Sequence, residues 1–236
     1  MQHRVPILMY HKVARADRRS TLRGHYVEPQ LFARQMRALK ALGFQSVSLE
    51  RLFEEPLPSR PVVVTFDDGY RNFLTNALPA LEANGFNATV FLVAGQLGGA
   101  NAWDVALGDV EEPLLTVEEV LRAKSQGVEF GSHSFNHVNL AQADQETAWR
   151  EVCESKSKLE QILSSPVTTF CYPYGAKNAE VQQMVKNAGY RLACSTEKGA
   201  NDVNTDRYAL RRINIRRDTT MPVFLMKLWR DLRNGK

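Results

Sequence analysis

Eight short apolar runs, none longer than seven residues, are spaced along this chain, and helical patterns separate most of them. No other feature restricts the fold as much. The runs are VPILMY (5–10), FQSVS (44–48), PVVVTF (61–66), NATVFLV (87–93), VEFGS (128–132), TTFCY (168–172), YRLACS (190–195) and ALRRINI (209–215). Most are almost continuously apolar rather than alternating, as parallel strands buried on both faces require. Between them, Phe32, Met36, Leu39 and Leu42 keep a helical period over 29–42, with Gly43 as a stop. Phe73, Leu74, Leu78 and Leu81 do the same over 72–84, with Gly85 following. Thr116 and Glu119 form a capping-box pattern at the start of a helix over 116–127, and further helices are predicted over 142–163, 178–188 and 219–233. Seven or eight strand–helix units predict a single α/β domain. Its sheet is a closed or nearly closed β/α barrel, with a doubly wound open sheet as the alternative.

Composition fits that reading. The 236 residues are 44% hydrophobic and 24% charged, as in soluble globular proteins, and barrels of this size commonly form one domain. No apolar run approaches the roughly 20 residues of a membrane helix. VPILMY near the start is short and no small-residue cleavage site follows it, so no secretory signal is read. A cytoplasmic location is expected for the chain as it stands, and an extracytoplasmic one if the chain has been shortened. Cys153, Cys171 and Cys194 are odd in number and far apart, which predicts three semi-buried thiols in a reducing compartment. The net charge is +4, and the basic residues crowd the C-terminal end. No aromatic residues interleave with them in the manner of a nucleic-acid surface, so a solvated terminal helix and a few site arginines are expected. The segment 95–115 is the longest loop, Gly-rich and then acidic, and it carries Trp103.

The chemistry-bearing residues fall at strand ends. Asp67 and Asp68 follow PVVVTF, His133 follows VEFGS with His137 four residues on, Tyr172, Pro173 and Tyr174 close TTFCY, and His11 follows VPILMY. Three of the five histidines of the chain occupy such positions. In a β/α barrel the C-terminal strand ends converge on one face, where active sites are built. HSFNH, on a helical turn or in a tight loop, can aim both imidazoles at one ion, and Asp68 would supply an anionic third ligand. Two His and one carboxylate leave positions open for water and substrate. One divalent metal ion is therefore expected, zinc first, with cobalt, nickel or manganese suited as well. A cation would also offset the repulsion between the adjacent carboxylates, leaving Asp67 as general base beside it. Each motif alone is more often structural: DDG is commonly a turn, and a single His is commonly a core residue.

TFDDGY, GSHSFNH and YPYG, in that order, resemble the NodB-homology polysaccharide deacetylases of carbohydrate esterase family 4. The resemblance spans about residues 5–215. It implies a distorted (β/α)7 barrel, an Asp-His-His metal site, and metal-assisted removal of N- or O-acetyl groups from an acetylated carbohydrate. Asp67 would be the base, and Asp68, His133 and His137 the ligands. Tyr174, beside Pro173, would offer a backbone N–H to the oxyanion. Two departures stand out. Where many members have an Arg that orients the catalytic Asp, this chain has Cys171, and Arg212 is the candidate replacement. No His follows His137 to serve as general acid. PILMYH instead resembles the circularly permuted branch that includes the poly-N-acetylglucosamine deacetylases, and there His11 takes that place, protonated at rest. His3 sits near the terminus and His25 in a basic segment, so neither competes for the role. Trp103 and Tyr70 are candidates for stacking on sugar faces. The rival readings are a same-fold hydrolase of a non-sugar C–N bond and a glycan-binding relic without activity.

Overall fold

The structure is a computed structural model that describes residues 4–233. His3, read above as near the terminus, lies outside the described residues. Seven parallel strands make the centre: β1 (Val5–Tyr10), β2 (Pro61–Phe66), β3 (Thr89–Leu92), β4 (Glu129–Ser132), β5 (Thr169–Cys171), β6 (Leu192–Lys198) and β7 (Leu210–Asn214). Each strand from β2 to β6 pairs with the next along the chain, β6 pairs with β7, and β1 closes the ring by pairing with both β7 and β2. The sheet is thus a seven-stranded parallel barrel within a single domain, and the open-sheet alternative is excluded. The run at 44–48 does not join it. Only Gln45–Ser46 is extended there, and it pairs outside the ring with the start of β2.

The apolar runs are continuous because both strand faces are covered. Side chains alternate along a strand. Ile7 and Val63 therefore point inward with Phe91, Cys171, Leu192, Cys194 and Leu210. Leu8, Val62 and Val64 point outward and pack with Phe32, Met36 and Leu39. Those last three belong to α1 (Pro29–Ala41), and the outer layer is continued by α2 (Leu78–Glu82), α3 (Val117–Ser125), α4 (Gln145–Leu163), α5 (Ala179–Asn187) and α6 (Met221–Arg233). Leu49 and Leu52 join the inner cluster and close the end at which the strands begin.

Local chemistry sets several boundaries. Thr116 and Glu119 cap each other's backbone at the start of α3, as the sequence pattern predicts. The helix expected over 72–84 begins instead as a widened turn, in which the Leu78 N–H bonds the Phe73 carbonyl five residues back. Pro79, one residue on, has no N–H to offer, so regular bonding is interrupted there. The 95–115 segment is packed onto the barrel. Ala100 pairs with Pro113, Leu114 pairs with Tyr70, and Ala102–Val105 forms a short helix. Cys171 and Cys194 are fully buried rather than semi-buried, while Cys153 is intermediate. Among the described residues, no helix is long and apolar enough to cross a membrane.

Candidate active site

Asp67 and Asp68 lie directly beyond the end of β2, where the Asp67 N–H bonds the Tyr10 carbonyl of neighbouring β1 at 3.0 Å. Asp68 and Gly69 both take left-handed backbone, each with φ of 74°. The chain turns back so tightly here that a Cβ on Gly69 would meet Leu92 at 2.8 Å. This turn sends the two carboxylates in different directions. Both are buried, and each meets a different set of partners.

Asp67 faces Arg212, which rises from β7 and is fully buried. The guanidinium donates to both carboxylate oxygens, at 2.6 and 2.8 Å. Its other contacts are the Ser195 carbonyl at 2.8 Å, the Thr65 hydroxyl at 3.3 Å and the Cys171 sulfur at 3.1 Å. The bidentate fork fixes the orientation of the carboxylate. Burial pushes the Asp67 carboxyl up, but Arg212 outweighs it and holds the group below its ordinary range. Burial also raises the Cys171 thiol, which stays neutral beside the guanidinium. A residue as small as Cys at 171 leaves room for an arginine entering from β7, so the departure at 171 and the presence of Arg212 are two sides of one arrangement. Arg212 is a site residue and not a surface arginine.

Asp68 faces the histidines. Its Oδ1 lies 3.3 Å from His133 Nε2 and 3.4 Å from His137 Nε2. Burial raises its carboxyl, and the two imidazoles outweigh that and hold it well below the ordinary value. His133 Nδ1 sits 2.7 Å from the Cys171 carbonyl, which orients the ring and turns its Nε2 edge toward Asp68. HSFNH is a tight loop and not a helical turn. Ser134 and His137 have positive φ, the Ser134 hydroxyl accepts the His137 N–H at 3.0 Å, and the Glu151 carboxylate accepts the N–H groups of Phe135 and Asn136 at 2.9 and 2.7 Å. Among the described residues, five non-glycines have positive φ, and four of them (Asp68, Ser134, His137 and Tyr174) line this site. Concentrated strain of this kind marks a functional centre.

Two groups of side chains could hold a cation: Asp68 with His133 and His137, or Asp67 with His133 and Cys171. The second is filled by the Arg212 guanidinium, whose charge repels a metal. The first fits: three buried donors, one anionic and two imidazole, converge with no Lys or Arg of the described residues paired to Asp68.

Pro173 and Tyr174 form a single turn after β5. Its closing bonds use the N–H groups of Gly175 and Ala176, not that of Tyr174. Tyr174 has φ of 59°, and its ring meets His137 edge-on at 4.7 Å. A Cβ on Gly175 would fall 2.0 Å from the Thr196 hydroxyl, so only glycine fits. Trp103 stacks on His137 at 4.5 Å and 21°. Tyr70 is the exception among the expected residues. It is 1% exposed and donates to Asp104 at 2.9 Å, so its ring is unavailable to a sugar.

His11 Nε2 lies 3.8 Å from Asp67 Oδ2, and its ring stacks on His25 at 4.3 Å. Burial and the adjacent His25 push the His11 imidazole down to about 3, against the pull of Asp68 and Asp67. A His11 protonated at rest, as expected from the sequence, is therefore corrected to a neutral one. Sequence reasoning also missed His25 and Glu151. His25 is fourteen residues from His11 and reaches it only because Lys12–Val13 pairs with Tyr26–Val27. Glu151 lies on the buried side of α4, and its single visible signal is a carboxylate among helical core positions.

The sequence profile of the polysaccharide deacetylases matches residues 54–193, more than half of the chain. This chain belongs to the polysaccharide deacetylase family. The matched stretch holds the DDG turn, HSFNH and YPYG, while His11 and Arg212 lie outside it. YxkH of Bacillus subtilis (strain 168) is 27% identical over 217 residues, covering 90% of this chain and 71% of the relative. The poly-beta-1,6-N-acetyl-D-glucosamine N-deacetylase of Staphylococcus aureus (strain MRSA252) is 24% identical over 245 residues, covering 94% and 81%. Among solved structures, the Streptococcus pyogenes deacetylase PplD, in complex with acetate, superposes with a TM-score of 0.83 at 26% identity, covering 96% of this chain and 99% of that one.

Proposed function

We propose that this polysaccharide deacetylase removes N-acetyl groups from an amino-sugar glycan, using one divalent cation held by Asp68, His133 and His137, zinc first. One observation carries the reading: two adjacent carboxylates are sorted into different partners, Asp67 in the bidentate grip of Arg212 and Asp68 between two imidazoles. A sugar-binding relic has no need to orient a free carboxylate beside an Asp-His-His cluster. Family membership supports a polysaccharide substrate, and the Staphylococcus aureus relative, by its name, favours β-1,6-linked N-acetylglucosamine among them.

A cation in that cluster would act as Lewis acid toward the acetyl carbonyl and make a water molecule more acidic. The remaining work belongs to the chain. Asp67, oriented by Arg212, takes a proton from the attacking water. The Tyr174 N–H, left over by its turn, stabilises the oxyanion. His11, neutral at rest and 3.8 Å from Asp67, receives that proton through one intervening water and delivers it to the departing amine. The proton lost by water thus ends on the amine, and Asp67 and His11 return to their starting states. Trp103 stacks on His137 and Tyr174 meets it edge-on, so both rings border the cluster where substrate would enter.

The test is acetate release from chitin oligomers, β-1,6 poly-N-acetylglucosamine, peptidoglycan and acetylated xylan, with His133→Ala as control. Activity on one of the amino-sugar polymers that vanishes in the control is expected. Activity confined to xylan would replace an N-acetyl substrate by an O-acetyl one, and a zinc-loaded protein inactive on all four would defeat the reading.

A further inference from the structure

Lys12 is fully buried, an uncommon place for an ammonium, and no step above uses it. Its Nζ lies 3.5 Å from Asp109 and 4.0 Å from Asp104, over the rings of Tyr70 at 4.5 Å and Tyr26 at 4.8 Å. These partners come from three places. Both aspartates belong to the 95–115 segment, Tyr70 follows the DDG turn, and Tyr26 lies on the short strand paired with Lys12–Val13. The aspartates are bound in turn. Tyr70 and Asn101 donate to Asp104 at 2.9 and 3.2 Å, and the N–H groups of Thr21 and Leu22 donate to Asp109 at 2.7 and 3.4 Å. Without Lys12, two buried carboxylates would lose their common countercharge, a strongly unfavourable change.

The residue before Asp104 is Trp103, and Trp103 stacks on His137. The two histidines of the cluster are held differently. His133 is oriented through Nδ1 by the Cys171 carbonyl, whereas His137 Nδ1 is buried with no hydrogen-bond partner among the described residues. A ligand histidine is normally oriented through its second nitrogen. His137 is oriented by rings instead: the stacked Trp103, and the edge-on Tyr174 and His133 at 4.7 and 4.9 Å.

We propose that Lys12 is a positioning residue for metal binding: its ammonium clamps the Trp103 segment to the barrel, and Trp103 in turn holds the His137 ring in its ligating orientation. This rests on Asp68, His133 and His137 being the metal ligands. Lys12 touches neither the cluster nor the substrate, so its effect is read in metal affinity.

The experiment measures zinc dissociation constants by competition with a chromophoric chelator at neutral pH, on folded parent, Lys12→Met, Trp103→Leu and the double variant. Each single change should weaken zinc by about 10- to 100-fold, the usual effect of losing a group that orients a ligand. The double variant should lose little more than either single one, because both act on the same ring. Parent affinity in folded Lys12→Met, or losses that simply add in the double variant, would overturn the proposal. Should Lys12→Met not fold, Asp109→Asn decides. It removes the nearest countercharge and keeps an oxygen for Thr21 and Leu22, and it should weaken zinc as well, whereas unchanged affinity there overturns the clamp. A parent protein that binds no zinc, or a His133→Ala protein that keeps it, would overturn the ligand assignment and this proposal with it. That failure is distinguishable because it does not depend on Lys12.

Discussion

Asp67 and Asp68 are identical carboxylates one peptide apart, and their surroundings make them different reagents. A charged fork holds Asp67, and two imidazoles hold Asp68. Asp67→Asn should keep bound metal and fold while losing most turnover, because an amide of the same shape cannot accept a proton. Asp68→Asn should lose the metal. The opposite pairing of metal content and activity would reverse the two roles. His11→Ala should leave metal content unchanged and lower kcat on the order of 10²–10⁴-fold on an unactivated amide, the usual worth of a proton-transfer group. Burial and His25 hold the His11 imidazole at about 3, far below the 6.5 of a free histidine. No fall in rate between pH 6 and 8 should therefore trace to His11, a point that the pH–rate profiles of parent and variant would settle. The carboxylates were legible in the sequence because DDG, commonly only a turn, stands here at a strand end in company with HSFNH and YPYG at other strand ends. Arg212 as the partner of Asp67 was only a candidate, since 145 residues separate them and nothing local distinguishes a buried arginine from an exposed one.

At the scale of elements, the 95–115 segment shows how a loop becomes part of a site. Asn101 is buried and accepts the Glu112 N–H at 2.7 Å, and Asp109 ties the segment to Thr21, Leu22 and Lys12. Burial raises the Asp109 carboxyl, but Ser20, the Thr21 N–H, Lys12 and the Leu22 N–H outweigh it and leave it at about 2, against 3.8 for a free group. A carboxyl with a lowered folded value adds stability above pH 3.8, and that stability is lost as the pH falls toward about 2. Asp109→Asn should therefore be less stable than the parent at neutral pH. Its stability should also fall less steeply than the parent's between about pH 4 and pH 2. Denaturant melts of both proteins across that window would check this, and parallel curves would count against a charged, clamped Asp109. The helices α1, α3 and α5 could be read from periodicity and caps to within about two residues. The widened turn before α2 could not, because the interruption arises from a bonding pattern that Pro79 imposes on the residues before it.

For the whole molecule, stability and chemistry are housed separately. The apolar layers, one inside the barrel and one under the helices, do not include Asp68, His133 or His137. Removing metal with a chelator should abolish turnover and leave the far-ultraviolet dichroism intact. The melting temperature should fall, then rise again with the logarithm of free zinc on re-addition, because a ligand of the native state alone stabilises by mass action. Loss of secondary structure on chelation would mean that the ion, and not the barrel core, holds the strands together.

Strand–helix alternation, the burial of both strand faces and the placing of DDG, HSFNH and YPYG at strand ends were all determined by the sequence, because periodicity and turn chemistry act over a few residues. Only the tertiary structure decided that β1 closes the ring between β7 and β2, and with it that His11 reaches Asp67. The same holds for Arg212 entering over the small Cys171, for His25 stacking on His11, for Tyr70 turning into the core while Trp103 covers His137, and for the burial of Lys12. Each of these joins residues far apart in the chain, and whether such side chains meet depends on register, volume and charge balance across the barrel. No local pattern carries that information.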